Sequence, residues 1–138
     1  MSAPDFLDTS VLVYAYDGTD RQKQGRAQEL VRRALDGEMV VSTQVFAEFA
    51  STMLHKVSPP VKPQEIGAML DALGPIRTVQ PDLDMVSRAV MVRAKYGMHF
   101  YDGMIIAAAE RAGCERIWSE DLSVGHLYFG IRVESPFA

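Results

Sequence analysis

Five short apolar runs set the limits on this fold: Asp5–Leu7, Glu38–Ser42, Ile76–Val79, Arg116–Ser119 and Gly130–Val133. Runs this short suit buried strands rather than helices, and most are separated by stretches with helical periodicity. A helix from about Asp20 to Leu35 places Ala27, Leu30, Val31, Ala34 and Leu35 on an inner face, and Asp36-Gly37 ends it. Thr43 is expected to cap the next helix, from Gln44 to about Lys56, with Val45, Phe46, Phe49, Met53 and Leu54 along one side. A further helix spans Pro63 to Leu73. The helix opened by Pro81-Asp82 and stopped by Gly97 is expected to bury Leu83, Val86, Val90 and Ala94. The last helix starts at Tyr101-Asp102 and runs through Met104–Ala109 and Ala112; apolar on most sides, it should be central. Short strands alternating with helices predict an α/β protein, a three-layer α/β/α sandwich with a mainly parallel central sheet. Residues 1–138 are expected to form one domain, a length that supports a real core.

The first strand carries an anomaly. In Phe6-Leu7-Asp8-Thr9-Ser10-Val11-Leu12-Val13, a carboxylate interrupts an apolar run. Burying an unpaired charge is strongly unfavourable, so Asp8 is expected at the strand's open end or beside a cation. Thr9 and Ser10 are cap-type residues, and Val11 to Tyr16 suits a helical turn after it. Other acids fall in comparable places. Asp121 follows the Trp118 strand, Asp102 opens a helix where the macrodipole favours an anion, and Glu48 sits on a partly apolar helix. In open α/β sheets ligands bind beyond the carboxyl ends of the strands. Taken singly, each acid has an ordinary reading as a cap, turn or surface residue. Together, with hydroxyls Thr9-Ser10 and Ser119 beside two of them, they suggest an oxygen-ligand site. Such a donor set, with no His or Cys at ligand spacing, suits Mg²⁺ or Mn²⁺ and a phosphodiester substrate.

Charge is consistent with this. The formal net charge is −4, so setting the four acids aside leaves about zero; the acidic balance lies largely in the site, and a polyanionic substrate is not excluded. The basic set Arg21, Lys23, Arg26, Arg32 and Arg33 reads first as a solvated helix face. His55, His99 and His126 are not expected to be catalytic, and Trp118, Phe46 and Phe49 read as core or interface groups. The single cysteine, Cys114, excludes an internal disulfide and reads as packing. With no apolar run long enough to span a membrane and no basic signal-peptide start, the expected location is the cytoplasm.

Four stretches together resemble a known family. Leu7-Asp8-Thr9-Ser10-Val11-Leu12-Val13-Tyr14 resembles the opening motif of PIN domains, and Ser42-Thr43-Gln44-Val45-Phe46-Ala47-Glu48-Phe49 their second. Tyr101-Asp102-Gly103-Met104-Ile105-Ile106-Ala107-Ala108-Ala109 resembles the third motif and Trp118-Ser119-Glu120-Asp121-Leu122 the fourth, while Gly130–Phe137 resembles the tail of VapC-type toxins. The resemblance implies a metal-dependent endoribonuclease, the toxin of a type II toxin–antitoxin pair. Asp8, Glu48, Asp102 and Asp121 would form the Mg²⁺ or Mn²⁺ site, with Asp8, Asp102 and Asp121 as direct ligands and Thr9 and Ser119 in support. It further implies phosphodiester hydrolysis by a metal-activated water, leaving 5′-phosphate and 3′-hydroxyl ends, a structured RNA substrate such as tRNA, a homodimer, and a VapB-type antitoxin covering the groove. Two departures stand out: Ser123-Val124-Gly125 followed by His126, where many relatives have Gln-His-Gly, and Gly103 where Ala is common. Two rival readings remain open on the residues alone. One is a catalytically silent RNA- or protein-binding module; the other is an aspartyl-phosphate phosphatase, which generally has a second Asp where this chain has Ser10.

Overall fold

A computed structural model describes residues 3–137. Twelve elements follow one another: β1 (Asp5–Leu7), α1 (Thr9–Tyr16), α2 (Arg21–Leu35), β2 (Met39–Ser42), α3 (Thr43–His55), α4 (Pro63–Leu73), β3 (Arg77–Val79), α5 (Leu83–Tyr96), α6 (Phe100–Arg111), β4 (Arg116–Trp118), β5 (Leu127–Tyr128) and β6 (Ile131–Glu134). The strands form one sheet in the order β3-β2-β1-β4-β6-β5. Every neighbouring pair is parallel except β5 with β6. This is the expected α/β architecture with helices on both sheet faces. Right-handed crossovers place α1–α4 over one face and bring α5 and α6 back over the other.

That order creates a switch point. From β1 the chain builds outward through β2 and β3, then returns to lay β4 on the opposite edge of β1. The segments leaving β1 and β4, a helix and a loop, therefore diverge above the sheet, and a crevice opens between them at the strands' carboxyl ends. Both strands are anchored below it. Phe6, Leu7 and Ile117 are fully buried, and the Asp8 N–H donates to the Trp118 carbonyl at 3.0 Å.

Four local expectations need correction. Asp8 itself caps α1 by accepting from the Thr9 N–H, so Thr9 and Ser10 lie inside the helix. Ser42 Oγ, at the end of β2, accepts from the Val45 N–H and caps α3, so Thr43 is the first helical residue. In both places the strand turns into a helix with no intervening loop, and the site acids stay close to the sheet edge.

The third correction concerns α5. Leu83, Val86, Val90 and Ala94 face outward, with Leu83 78% exposed, while Met85, Ala89 and Val92 are buried. The reason lies on α6. A Cβ placed on Gly103 would meet the Ala89 carbonyl oxygen at 2.9 Å, so the two helices cross with almost no side chain between them. The stripe containing small Ala89 allows that approach, whereas the larger Leu83–Val90 stripe would hold the helices apart. Leu35, also expected inside, is 42% exposed, while the rest of the expected α2 face is buried.

Among the described residues no helix is long and apolar enough to cross a membrane. Cys114 is buried, and burial pushes its thiol up to about 12, so it is an inert packing group.

Candidate active site

The four acids arise from four separate segments. Asp8 follows β1, Glu48 lies on the second turn of α3, Asp102 is in the first turn of α6, and Asp121 is in the loop after β4. All four line one cleft of about 330 Å³, together with Thr9, Ser51, Thr52 and Lys56.

Asp8 is the fixed member. It is only 5% exposed, and both carboxylate oxygens are bonded: Oδ1 accepts from the Thr9 N–H at 2.8 Å and Oδ2 from Ser119 Oγ at 2.6 Å. Each oxygen keeps lone-pair capacity beyond those bonds. Burial pushes the Asp8 carboxyl up to about 6; the Ser119 and Thr9 bonds hold it down, and the Asp121 and Glu48 charges push it further up. Burial likewise raises Asp102, with His99 opposing. It raises Asp121 as well, reinforced by Glu120 and Asp102 and opposed by Lys56. Glu48 Oε1 accepts from Thr9 Oγ1 at 3.0 Å, so Thr9 touches two of the acids, one through its backbone and one through its hydroxyl.

Ser119 organises the loop that carries Asp121. Its Oγ donates to Asp8 and accepts from the backbone N–H groups of Asp121 and Leu122, both at 3.1 Å. Fully buried, it uses its whole hydrogen-bonding capacity. Glu120, which the sequence reading left without a role, fastens the same loop from outside. It accepts from Tyr14 Oη at 2.8 Å and Lys23 Nζ at 2.6 Å, and its N–H donates to Ser10 Oγ. Lys23 therefore belongs to this tether rather than to a free basic face. Arg26 is engaged as well, donating to the Pro136 carbonyl.

Other expectations can be placed too. Phe49 and Trp118 are buried in the core, the latter donating from Nε1 to Asp5. His99 caps α6 by accepting at Nδ1 from the Tyr101 N–H. Ser51, Thr52 and Lys56 were missed as cleft residues. The signal was available: they follow Glu48 by three, four and eight positions, which keeps them on its face of α3.

Among the described residues no three His, Cys, Asp or Glu side chains are gathered into a ready-made metal cage. The acids share a cleft rather than a finished coordination sphere. The chemistry of the donor set nevertheless fits a hard divalent cation. It is all oxygen, and burial, reinforced by neighbouring acids, raises Asp8 and Asp121, a penalty that a cation in the cleft would offset.

Searched against curated proteins, the sequence has no significant match. Solved structures share the fold at low identity. A toxin–antitoxin complex from Klebsiella pneumoniae matches with a TM-score of 0.72 and 17% identity, over 96% of this chain and 97% of the other. DNA-bound VapBC from Salmonella typhimurium gives 0.71 and 17%, over 98% and 99%. VapC20 of Mycobacterium tuberculosis, a Sarcin-Ricin loop cleaving toxin, gives 0.67 and 16%, over 85% and 89%. The sequence also matches the PIN domain family over residues 6–129, a span that includes all four acids, and the chain therefore belongs to that family.

Proposed function

We propose that this chain, as a single PIN unit, is a metal-dependent endoribonuclease toxin of the VapC type. The observation that carries the reading is the convergence of Asp8, Glu48, Asp102 and Asp121, from four separate segments, on one cleft at the switch point of a parallel sheet. A purely structural protein gains nothing from placing Asp8 where burial, and to a lesser extent neighbouring acids, raises its carboxyl. Similarity to toxin–antitoxin structures supports the same class.

Mg²⁺ or Mn²⁺ bound in this cleft would neutralise the carboxylates, draw in a phosphate and acidify a water. Asp8, held by Thr9 and Ser119, would offer its remaining lone pairs to the ion, with Asp102 and Asp121 as the other direct ligands. Glu48, oriented by the Thr9 hydroxyl, serves as an outer ligand or takes a proton from the attacking water. Thr9 couples Asp8 to Glu48, and Ser119 couples Asp8 to the Asp121 loop, so a shift in any one of these residues moves the set.

The reading extends to a cytoplasmic setting, a structured RNA substrate such as tRNA, and a VapB-type antitoxin as partner. A homodimer is supported by the exposed apolar residues Leu83, Val86, Val90 and Met91 along α5. The direct test incubates the purified protein with total RNA in Mg²⁺, Mn²⁺ or EDTA, beside Asp8→Asn, and sequences the new 5′ ends. Discrete cleavage that needs a divalent cation and disappears in Asp8→Asn is the expected result. No cleavage under any cation, or a fully active Asp8→Asn, sinks the assignment.

A further inference from the structure

The acid-lined cleft is one of two adjoining lobes. The second, of about 360 Å³, runs between α1 and the end of α3 and shares Thr9, Thr52, Lys56 and Asp121 with the first. A strand whose scissile phosphate sat among the acids would have to continue past them, and this lobe adjoins them.

Lys56 stands at the junction and, among the described residues, is the one basic side chain lining either lobe. Its backbone is fixed, since its N–H donates to the Thr52 carbonyl in closing α3. Its side chain is exposed and, among the described residues, makes no ion pair, although acids surround it. The second lobe's other acids are already engaged: Asp17 accepts twice from Thr19, and Glu120 is held by Tyr14 and Lys23. The ammonium is thus left available to an incoming anion, on a flexible stem that can follow it.

We infer that Lys56 Nζ holds a backbone phosphate of the RNA strand, the one next to the scissile phosphate, where the two lobes meet. This rests on the ribonuclease reading above and gives it a substrate contact on the protein's own side. The ordinary alternative for a lysine in this place is to offset the negative end of the α3 macrodipole. That role would show in stability and not in RNA binding.

The test uses the full chain carrying Asp8→Asn, so that bound RNA stays intact, with and without Lys56→Gln or Lys56→Arg. A fluorescein-labelled single-stranded RNA of mixed sequence is titrated in Mn²⁺ at several salt concentrations and followed by anisotropy. Lys56→Gln is expected to weaken binding about tenfold. It should also flatten the plot of log affinity against log salt by about 0.7, the contribution of one phosphate contact on a single strand. Lys56→Arg should restore both, and melting temperatures should stay together. In the otherwise wild-type enzyme, Lys56→Gln should raise KM and leave kcat nearly unchanged. Unchanged affinity and slope in Lys56→Gln, or no RNA binding by the Asp8→Asn parent, overturns the inference. RNA binding with the Lys56 signature but no cleavage by the wild-type chain overturns the nuclease reading and leaves the Lys56 contact standing.

Discussion

Replacing Asp8 by Asn should change the pH dependence of stability in a way that isolates the cost of burying this charge. The Asp8 carboxyl is raised from 3.8 to about 6, chiefly by burial. For an acid raised in the folded state, the contribution to stability is fully present below the unfolded pKa and is lost as pH rises through the folded one. The window is therefore pH 3.8 to about 6, and the loss is about 3 kcal/mol once Asp8 is ionised. Asn removes that loss but has its own cost. Ser119 Oγ already accepts from two backbone N–H groups, so it has no free lone pair for an amide donor at position 8. Turning the amide over instead faces its NH₂ toward the Thr9 N–H. Either way one bond is lost, at about 1–2 kcal/mol. In EDTA, Asp8→Asn should be less stable than wild type near pH 4 and more stable by about 1–2 kcal/mol near pH 7.5, the sum of the two effects. Urea denaturation of both proteins across that range measures the difference directly. The hydrogen-bond cost does not depend on pH, so the change in the difference reports the ionisation alone. A difference that stays flat from pH 4 to pH 7.5 refutes the reasoning, whatever its size.

Further outcomes follow from the Ser119 contacts and from the α5–α6 crossing. Ser119→Ala strips Asp8 of a hydroxyl donor and leaves the Asp121 and Leu122 N–H groups without their acceptor. It should cost about 2–3 kcal/mol by urea denaturation, and more above pH 6 than below it, because the lost bond favours the ionised carboxylate; a cost that falls as pH rises counts against this. Gly103→Ala gains about 1 kcal/mol in helix propensity but drives a methyl into the Ala89 carbonyl, so it should lose about 1–2 kcal/mol net. Gly67→Ala, at an exposed position in α4 where an added Cβ meets nothing within 4 Å, should be neutral or stabilising; urea denaturation measures both variants, and equal behaviour of the two would contradict the close α5–α6 crossing.

The strands and helices were legible where a single local signal dominated. Pro63 and Gly74-Pro75 bracket α4, and Asp82 and left-handed Gly97 bracket α5. What escaped was decided by contacts between distant residues. The β5–β6 hairpin turns on Phe129-Gly130, both at positive φ, without the Asn-Gly or Asp-Gly pair that announces such a turn. Phe129 tolerates φ +50° in a specific setting: Tyr96 Oη accepts its N–H at 2.9 Å and the Arg88 guanidinium lies 3.7 Å over its ring. Both partners come from α5, so no window around Phe129 could reveal them. The α5 face failed for a related reason. Two apolar stripes were available, and the choice between them was made by a glycine on α6, which also explains why Gly stands where Ala is common in the third motif.

Three of the cleft acids were legible because Asp8, Asp102 and Asp121 sit at places the topology makes special, a strand end or a helix start, whereas Glu48, inside α3, stood out only beside them. The cleft's cation was not legible, because Lys56 looks like any lysine closing a helix until Glu48 is taken as the origin of the face. Counting from Glu48, the positions that return to the cleft are Ser51, Thr52 and Lys56: a carboxylate, two hydroxyls and an ammonium along one side of α3. This order suits a strand entering a metal site. The helix begins at the sheet edge, where Ser42 fixes its first turn, so Glu48 is held close to Asp8. Its C-cap, Lys56, lies eight residues beyond Glu48, about 12 Å at the helical rise. Four acids in one cleft repel a polyanion, and in the proposed contact Lys56, at the far end of the helix that supplies one of those acids, would draw the neighbouring phosphate in.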